Sequence, residues 1–143
     1  MFEQIEASAL STWIRESNAM YAFPGILIVH TIGMALAAGS AAAIGLRLLG
    51  AARQIPIASL RELVPVAWIG LLLNIASGIL LLVAYPTKAL TNPIFYLKLL
   101  TILAAVEAPS RKLVPVTLLV LTALAIITGR LLPYTYRHLM AGY

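Results

Sequence analysis

The chain has 143 residues, of which 62% are hydrophobic and only 10% charged. Soluble domains carry roughly 25% charged residues, so this chain lacks the charge to coat a soluble globule, and the composition predicts an integral membrane protein. The absence of cysteine excludes disulfides, thiolate metal sites and thiol nucleophiles. The net charge of +5 lies between and at the ends of apolar runs, where orientation and lipid head groups account for it better than nucleic acid does.

The first six residues, Met1 to Glu6, are acidic and half polar. They lack the basic and apolar regions of a cleavable signal peptide, so the first long apolar run reads as an uncleaved signal anchor. Before that run, Phe2, Ile5, Ala9 and Trp13 recur at helical spacing beside Glu3 and Glu6. This predicts a short interfacial helix, with a frayed terminus as the alternative.

Four apolar stretches follow, at about 21–46, 63–85, 93–108 and 113–132. A helix needs about 20 residues to span the hydrocarbon. The first, second and fourth qualify. The third is short and carries Lys98 and Glu107, so it spans only if the bilayer thins around it or its polar ends lie inside the bundle. Pro24, Pro65, Pro93 and Pro115 each fall in the first turn of a stretch, where the missing N–H costs nothing. The expected fold is all-α: one transmembrane domain over 1–143, a four-helix bundle with an N-terminal interfacial helix.

Four spans put both termini on one side. Arg47, Arg53, Arg61, Arg111 and Lys112 belong to the loop side, and Arg15, Lys88, Arg130 and Arg137 to the terminus side. The balance, five against four, favours both termini outside the cytoplasm. Every aromatic except Trp68 falls on the terminus side, which predicts an aromatic girdle at one end. Arg61 to Val66 (RELVPV) is echoed fifty positions later as Arg111 to Val116 (RKLVPV), consistent with two related hairpins or with chance.

Four polar residues lie within the spans: His30, Asn74, Lys98 and Arg130. The alternating helix directions bring His30, Lys98 and Arg130 into the terminus-side half, with Asn74 at the midplane. Helical spacing puts Gly33, Ala37 and Ala41 on the His30 face. It puts Gly70, Ser77 and Gly78 on the Asn74 face, and Ile94, Thr101, Ile102 and Ala105 on the Lys98 face. Small residues three or four apart mark helix contacts in lipid, and a polar residue on such a face avoids the acyl chains. Each also has a structural reading: His30 and Asn74 as interhelical hydrogen bonds, Lys98 snorkelling to the interface, Arg130 on a lipid phosphate.

Imidazole can ligate haem iron, and Lys and Arg can hold propionates. A quinone or an anionic lipid suits the same set. His30 enters a metal role only as a haem axial ligand. The second histidine, His138, lies beyond the fourth stretch and reaches the site only if the tail folds back. Glu107 is too near a span end for a proton-coupled transporter.

The strings Phe23-Pro24, His30-Thr31-Ile32-Gly33-Met34-Ala35-Leu36, Gly39 and Leu46-Arg47-Leu48-Leu49-Gly50 resemble a domain-of-unknown-function family of small bacterial four-helix membrane proteins. So do Pro65, Trp68-Ile69-Gly70, Ser77-Gly78, Asn92 through Leu99 (NPIFYLKL) and Gly129-Arg130. The resemblance covers nearly the whole chain. It implies a four-helix bundle in a bacterial inner membrane, with His30, Arg47, Lys98 and Arg130 as the polar positions, and it implies no activity. Where the family often has acidic residues, three before the His and two before the first Arg, this chain has Leu27 and Gly45. In arrangement, a His in the first helix and a Lys early in the third is similar to the haem-associated membrane protoporphyrinogen oxidase family. The His-x2-Gly-x5-Gly helix is similar to the copper-resistance membrane domains.

The leading functional expectation is an accessory or structural subunit of a membrane complex, packing on partner subunits or on copies of itself through its Gly/Ala faces. The alternatives are a haem b- or quinone-binding redox protein using His30, Lys98 and Arg130, with Asn74 beside them, and a small transporter or lipid-binding protein. Membrane lipids are expected partners; nucleic acid is not.

Overall fold

The structure is a computed structural model. It describes the backbone of residues 2–107 and 115–140, and the side chains of 4–107 and 115–131. Arg111, Lys112 and Tyr143, with most of the echoed Arg111 to Val116 string, lie outside the described residues. The side chains of Phe2, Glu3, Tyr134, Tyr136, Arg137 and His138 lie outside them too.

The described residues are helical, without strands. The helices are α1 (Phe2–Glu6), α2 (Ala9–Glu16), α3 (Phe23–Leu48), α4 (Leu63–Ala84), α5 (Pro86–Leu90), α6 (Pro93–Glu107) and α7 (Pro115–Met140), with a 3-10 helix at Ile57–Glu62 before α4. The four long helices match the four apolar stretches. Proline stands in the first turn of α3 and of α5, where φ is already helical and no N–H is needed. Asn92 caps α6: its Oδ1 accepts the Ile94 N–H at 3.0 Å, satisfying one of the open donors. At the far end of α3, Gly50 takes φ +95°. That left-handed residue lets the Ala51 N–H return to the Leu46 carbonyl, closing the helix as glycine does best.

The fourth helix departs from expectation. It runs to Met140, through Pro133 and His138, instead of ending near 132. Proline has no N–H for the Gly129 carbonyl, yet the helical backbone continues. The segment bearing His138 is therefore an extension of α7, not a tail folded back on the site.

Helix α3 is central. It packs along α4 on one side and α7 on the other, and α6 packs on α7. The α3–α4 contact is the tightest. A Cβ added at Gly33 would meet the Asn74 nitrogen at 2.7 Å and the Gly70 oxygen at 2.8 Å. One added at Gly70 would meet the Ala37 nitrogen at 2.5 Å and the Gly33 oxygen at 2.7 Å. The two backbones touch, which only glycine permits. Gly45 lies against the Leu119 side chain of α7.

The N-terminal segment is folded, not frayed. Ser8 caps α2 by accepting the Ser11 N–H. Ile14 is fully buried and packs with Ile26 and Ala84 against Phe23, Leu81 and Tyr85. Ser11 Oγ and Arg15 Nη1 both donate to the Ala84 carbonyl, at 3.3 and 3.2 Å, so a cation meets the negative end of α4. Arg15 Nη2 also donates to the Glu6 carbonyl at 2.8 Å, and Thr87 Oγ1 donates to Glu6 Oε2 at 2.9 Å. Trp13 packs on Tyr21, and Phe23 meets Tyr85 edge-on, so these aromatics gather at the end where α3 begins and α4 ends.

Two helical segments, Phe23–Leu48 and Ile57–Ala84, are long and apolar enough to cross a membrane. Burial runs opposite to a soluble core. Buried positions include Ser40, Asn74, Ser77, Thr101, Thr122 and Thr128, while Leu72, Ile79, Leu100, Leu103 and Ile127 are exposed. The buried threonines return their hydroxyls to their own helix, as in Thr122 to Leu118 and Thr128 to Leu124.

Gly33→Ala places a methyl against backbone and is expected to destabilise by about 1–3 kcal/mol, the usual cost of overpacking. Gly39→Ala meets nothing within 4 Å and is expected to be neutral or slightly stabilising. Helical circular dichroism during unfolding in mixed micelles reads the difference.

Candidate functional site

The long helices converge around His30. It sits seven residues into α3, about 10 Å from its start at 1.5 Å per residue, and Ser77 sits seven residues before the end of antiparallel α4. The two residues are therefore level. His30 lies over Gly78, whose missing Cβ would stand 3.3 Å from the ring Cε1.

The hydrogen bonds around the ring suit an imidazole that carries its proton on Nδ1. Ser77 Oγ gives its one proton to the Leu73 carbonyl at 2.6 Å. Its lone pairs then accept from His30 Nδ1, 3.0 Å away. With the proton on Nδ1, Nε2 carries the free lone pair. Two donors face it: Lys98 Nζ at 3.3 Å and, at the 3.5 Å limit, Asn74 Nδ2. Asn74 makes its stronger bond to the His30 carbonyl, at 2.9 Å, tying side chain and backbone of α3 to α4.

Lys98 comes from α6 and crosses α7 to reach His30. A Cβ on Gly129 would lie 3.6 Å from Lys98 Cε and 3.7 Å from Nζ, ordinary contact distances, so the aliphatic stem of Lys98 runs alongside Gly129. Thr101 Oγ1 donates to the Lys98 carbonyl at 2.8 Å. Among the described residues, the hydrogen-bond partner of the Lys98 ammonium is an imidazole nitrogen, not a carboxylate. An ammonium has three donors, so two remain.

Of the four sequence candidates, His30, Asn74 and Lys98 come together. Arg130 does not: its side chain is exposed, while the preceding residue, Gly129, faces Lys98. One residue turns a helix by about 100°, so both cannot face inward. Ser77, Gly78 and Gly129 complete the site. Ser77 and Gly78 stand three and four residues from Asn74, on the face that helical spacing assigns inward. Spacing gives no such signal for Gly129.

A haem, raised by the resemblance, fits the donor atom and not the packing. The bond from His30 Nδ1 to Ser77 is what orients a metal-ligating imidazole. But Nε2 faces Lys98 and Asn74 directly. Two clefts among the described residues, one lined by Ile44, Leu48 and Arg61, the other by Tyr21, Val29 and Ser77, include neither His30 nor Lys98. Among the described residues no group of three or more His, Asp or Glu stands together to hold a metal ion. No chemistry is assigned through a haem. Comparison with family models, curated proteins and solved structures returns no match.

The His30–Ser77 bond crosses between helices. A double-mutant cycle of His30→Phe and Ser77→Ala, read as unfolding free energy in lipid micelles, is expected to give a coupling of about 0.6 kcal/mol, up to roughly 1.7. Zero coupling would mean the hydroxyl does not hold the ring.

Proposed function

We propose that the chain is a small multi-pass protein of a bacterial inner membrane, crossing it four times with both termini periplasmic. Its His30–Lys98 pair binds the polar head of a membrane-soluble ligand, of the class that presents carbonyl oxygens as a quinone does. The observation that carries the ligand reading is the half-buried Lys98 ammonium, with His30 Nε2 as its protein partner and two donors left over.

The membrane reading rests on the inverted distribution of residues. Exposed Leu and Ile cover the long helices while hydroxyls and Asn74 lie within, the order expected when lipid is the solvent. α6 has 15 residues, about 22 Å at 1.5 Å per residue, against a hydrocarbon core of about 30 Å. The helix is short, so Lys98 lies close to its start, and local thinning of the bilayer lets it span.

The accessory-subunit expectation keeps one open surface, since Gly39 on α3 is exposed with nothing within 4 Å of its missing Cβ. It drew on the Gly/Ala faces as partner surfaces. Gly33 and Gly70 are used between α3 and α4, Gly45 against α7, and Gly78 and Gly129 beside the His30–Lys98 pair. These five glycines serve contacts within the chain and the site, while Gly39 does not.

A ligand carbonyl takes the free N–H donors of Lys98 and leaves the His30–Ser77 bond intact. A charge-assisted hydrogen bond contributes about 1.5–3 kcal/mol. Lys98→Met is therefore expected to weaken binding of a soluble quinone analogue at least tenfold, with Arg130→Gln unchanged. The measurement is titration calorimetry on protein in lipid nanodiscs, with visible spectra recorded on the same sample. Unchanged affinity in Lys98→Met would remove the reading. A Soret band lost in His30→Ala would replace it with haem ligation.

A further inference from the structure

A second site lies at the opposite end, where α3 ends and α4 begins. A cleft of about 510 Å³ opens there, within the range of about 300–1,000 Å³ for ligand pockets. Ile44 and Leu48 of α3, Ile57 and Leu60 of the 3-10 helix, and Val64 of α4 line it with hydrocarbon. Arg61 is its one charged lining residue.

The arginines at this end divide into two kinds. Arg47 donates through Nε to the Ile55 carbonyl at 2.7 Å and through Nη2 to the Arg53 carbonyl at 3.2 Å. Arg53 donates through Nε to the Gly50 carbonyl at 3.3 Å. These two hold the turn between α3 and the 3-10 helix. Arg61 is exposed, and no described residue accepts a hydrogen bond from its guanidinium. From Arg47 to Glu62 the segment carries three arginines and one glutamate. α4 starts at Leu63 with no side-chain cap, so the positive end of its dipole faces the same side.

We infer that this cleft binds one anionic phospholipid, its acyl chain among Ile44, Leu48, Leu60 and Val64 and its phosphate on the Arg61 guanidinium. The hydrocarbon lining selects a lipid over a water-soluble anion. The unsatisfied fork of Arg61, which matches phosphate geometry, selects an anionic head in a segment of net positive charge. The site is separate from His30 and Lys98, and it rests on the membrane reading above.

Trp68 reports on it. It stands one turn beyond Val64 on the same exposed face of α4, and Trp13→Phe leaves it the only tryptophan of the chain. The full-length Trp13→Phe protein is reconstituted into vesicles holding equal mole fractions of phosphatidylglycerol and phosphatidylcholine, with brominated acyl chains on one or the other lipid. Brominated phosphatidylglycerol is expected to quench Trp68 about fivefold more effectively, the preference one arginine confers at an anionic surface. Arg61→Gln is expected to abolish the preference. Ala58→Phe, which fills the cleft and leaves the charge, is expected to reduce it, and this variant keeps the test open if Arg61→Gln fails to fold. Equal quenching by the two lipids, or a preference that survives both substitutions, overturns the lipid site while leaving the chain in the bilayer. Absence of quenching by either lipid overturns the membrane reading as well.

Discussion

The contact of Gly33 with Gly70 is the constraint on which the rest depends. It lets α3 and α4 approach until their backbones touch. At that separation the Asn74 amide reaches the His30 carbonyl and the Ser77 hydroxyl reaches the His30 ring. Any side chain at Gly33 or Gly70 pushes the helices apart, and hydrogen bonds lengthened by an ångström are no longer bonds. Packing at two glycines thus sets the polar geometry a turn or two away.

The same logic continues outward. Gly78 accommodates the imidazole, and the Lys98 stem runs alongside Gly129 on its way from α6. In the proposed membrane setting a lysine left among acyl chains is costly, at least about 2.5 kcal/mol at the bilayer centre. Here the cost is offset in part by the His30 nitrogen and by the shortness of α6, which keeps Lys98 near the aromatic end. At that end α2 closes the structure. Arg15 holds the Ala84 carbonyl and the Glu6 carbonyl, joining the N-terminal segment to the last turn of α4.

Much of this was legible in the sequence because two signals were strong. Proline marked the starts of the helices, and polar residues were rare enough within apolar stretches that each drew notice. The inward faces of α3, α4 and α6 followed from 3.6-residue spacing: Gly33, Gly70, Ser77 and Thr101 are buried. Arg130 lies exposed while its neighbour Gly129 faces Lys98, since one residue turns a helix by about 100°. The fourth stretch ends near 132 where the apolar run gives way to Pro133 and Tyr134, but hydropathy bounds a span and not the helix. The helix continues to Met140. That the Gly/Ala faces make helix contacts was legible, but not which helix they meet, since a small-residue stripe has the same pattern whether it meets its own chain or another.

The central claim is that Lys98 turns inward to His30 in the bilayer. Its natural competitor is a lysine that snorkels to the interface. Solid-state NMR on the chain in lipid bilayers, with ¹³C-labelled lysine and ¹⁵N-labelled histidine, separates them directly. The account predicts a through-space correlation between Lys98 Cε and the His30 ring Nε2, lost in Lys98→Met. A Lys98 side chain that correlates instead with head-group phosphorus and water, with no contact to His30, would contradict it.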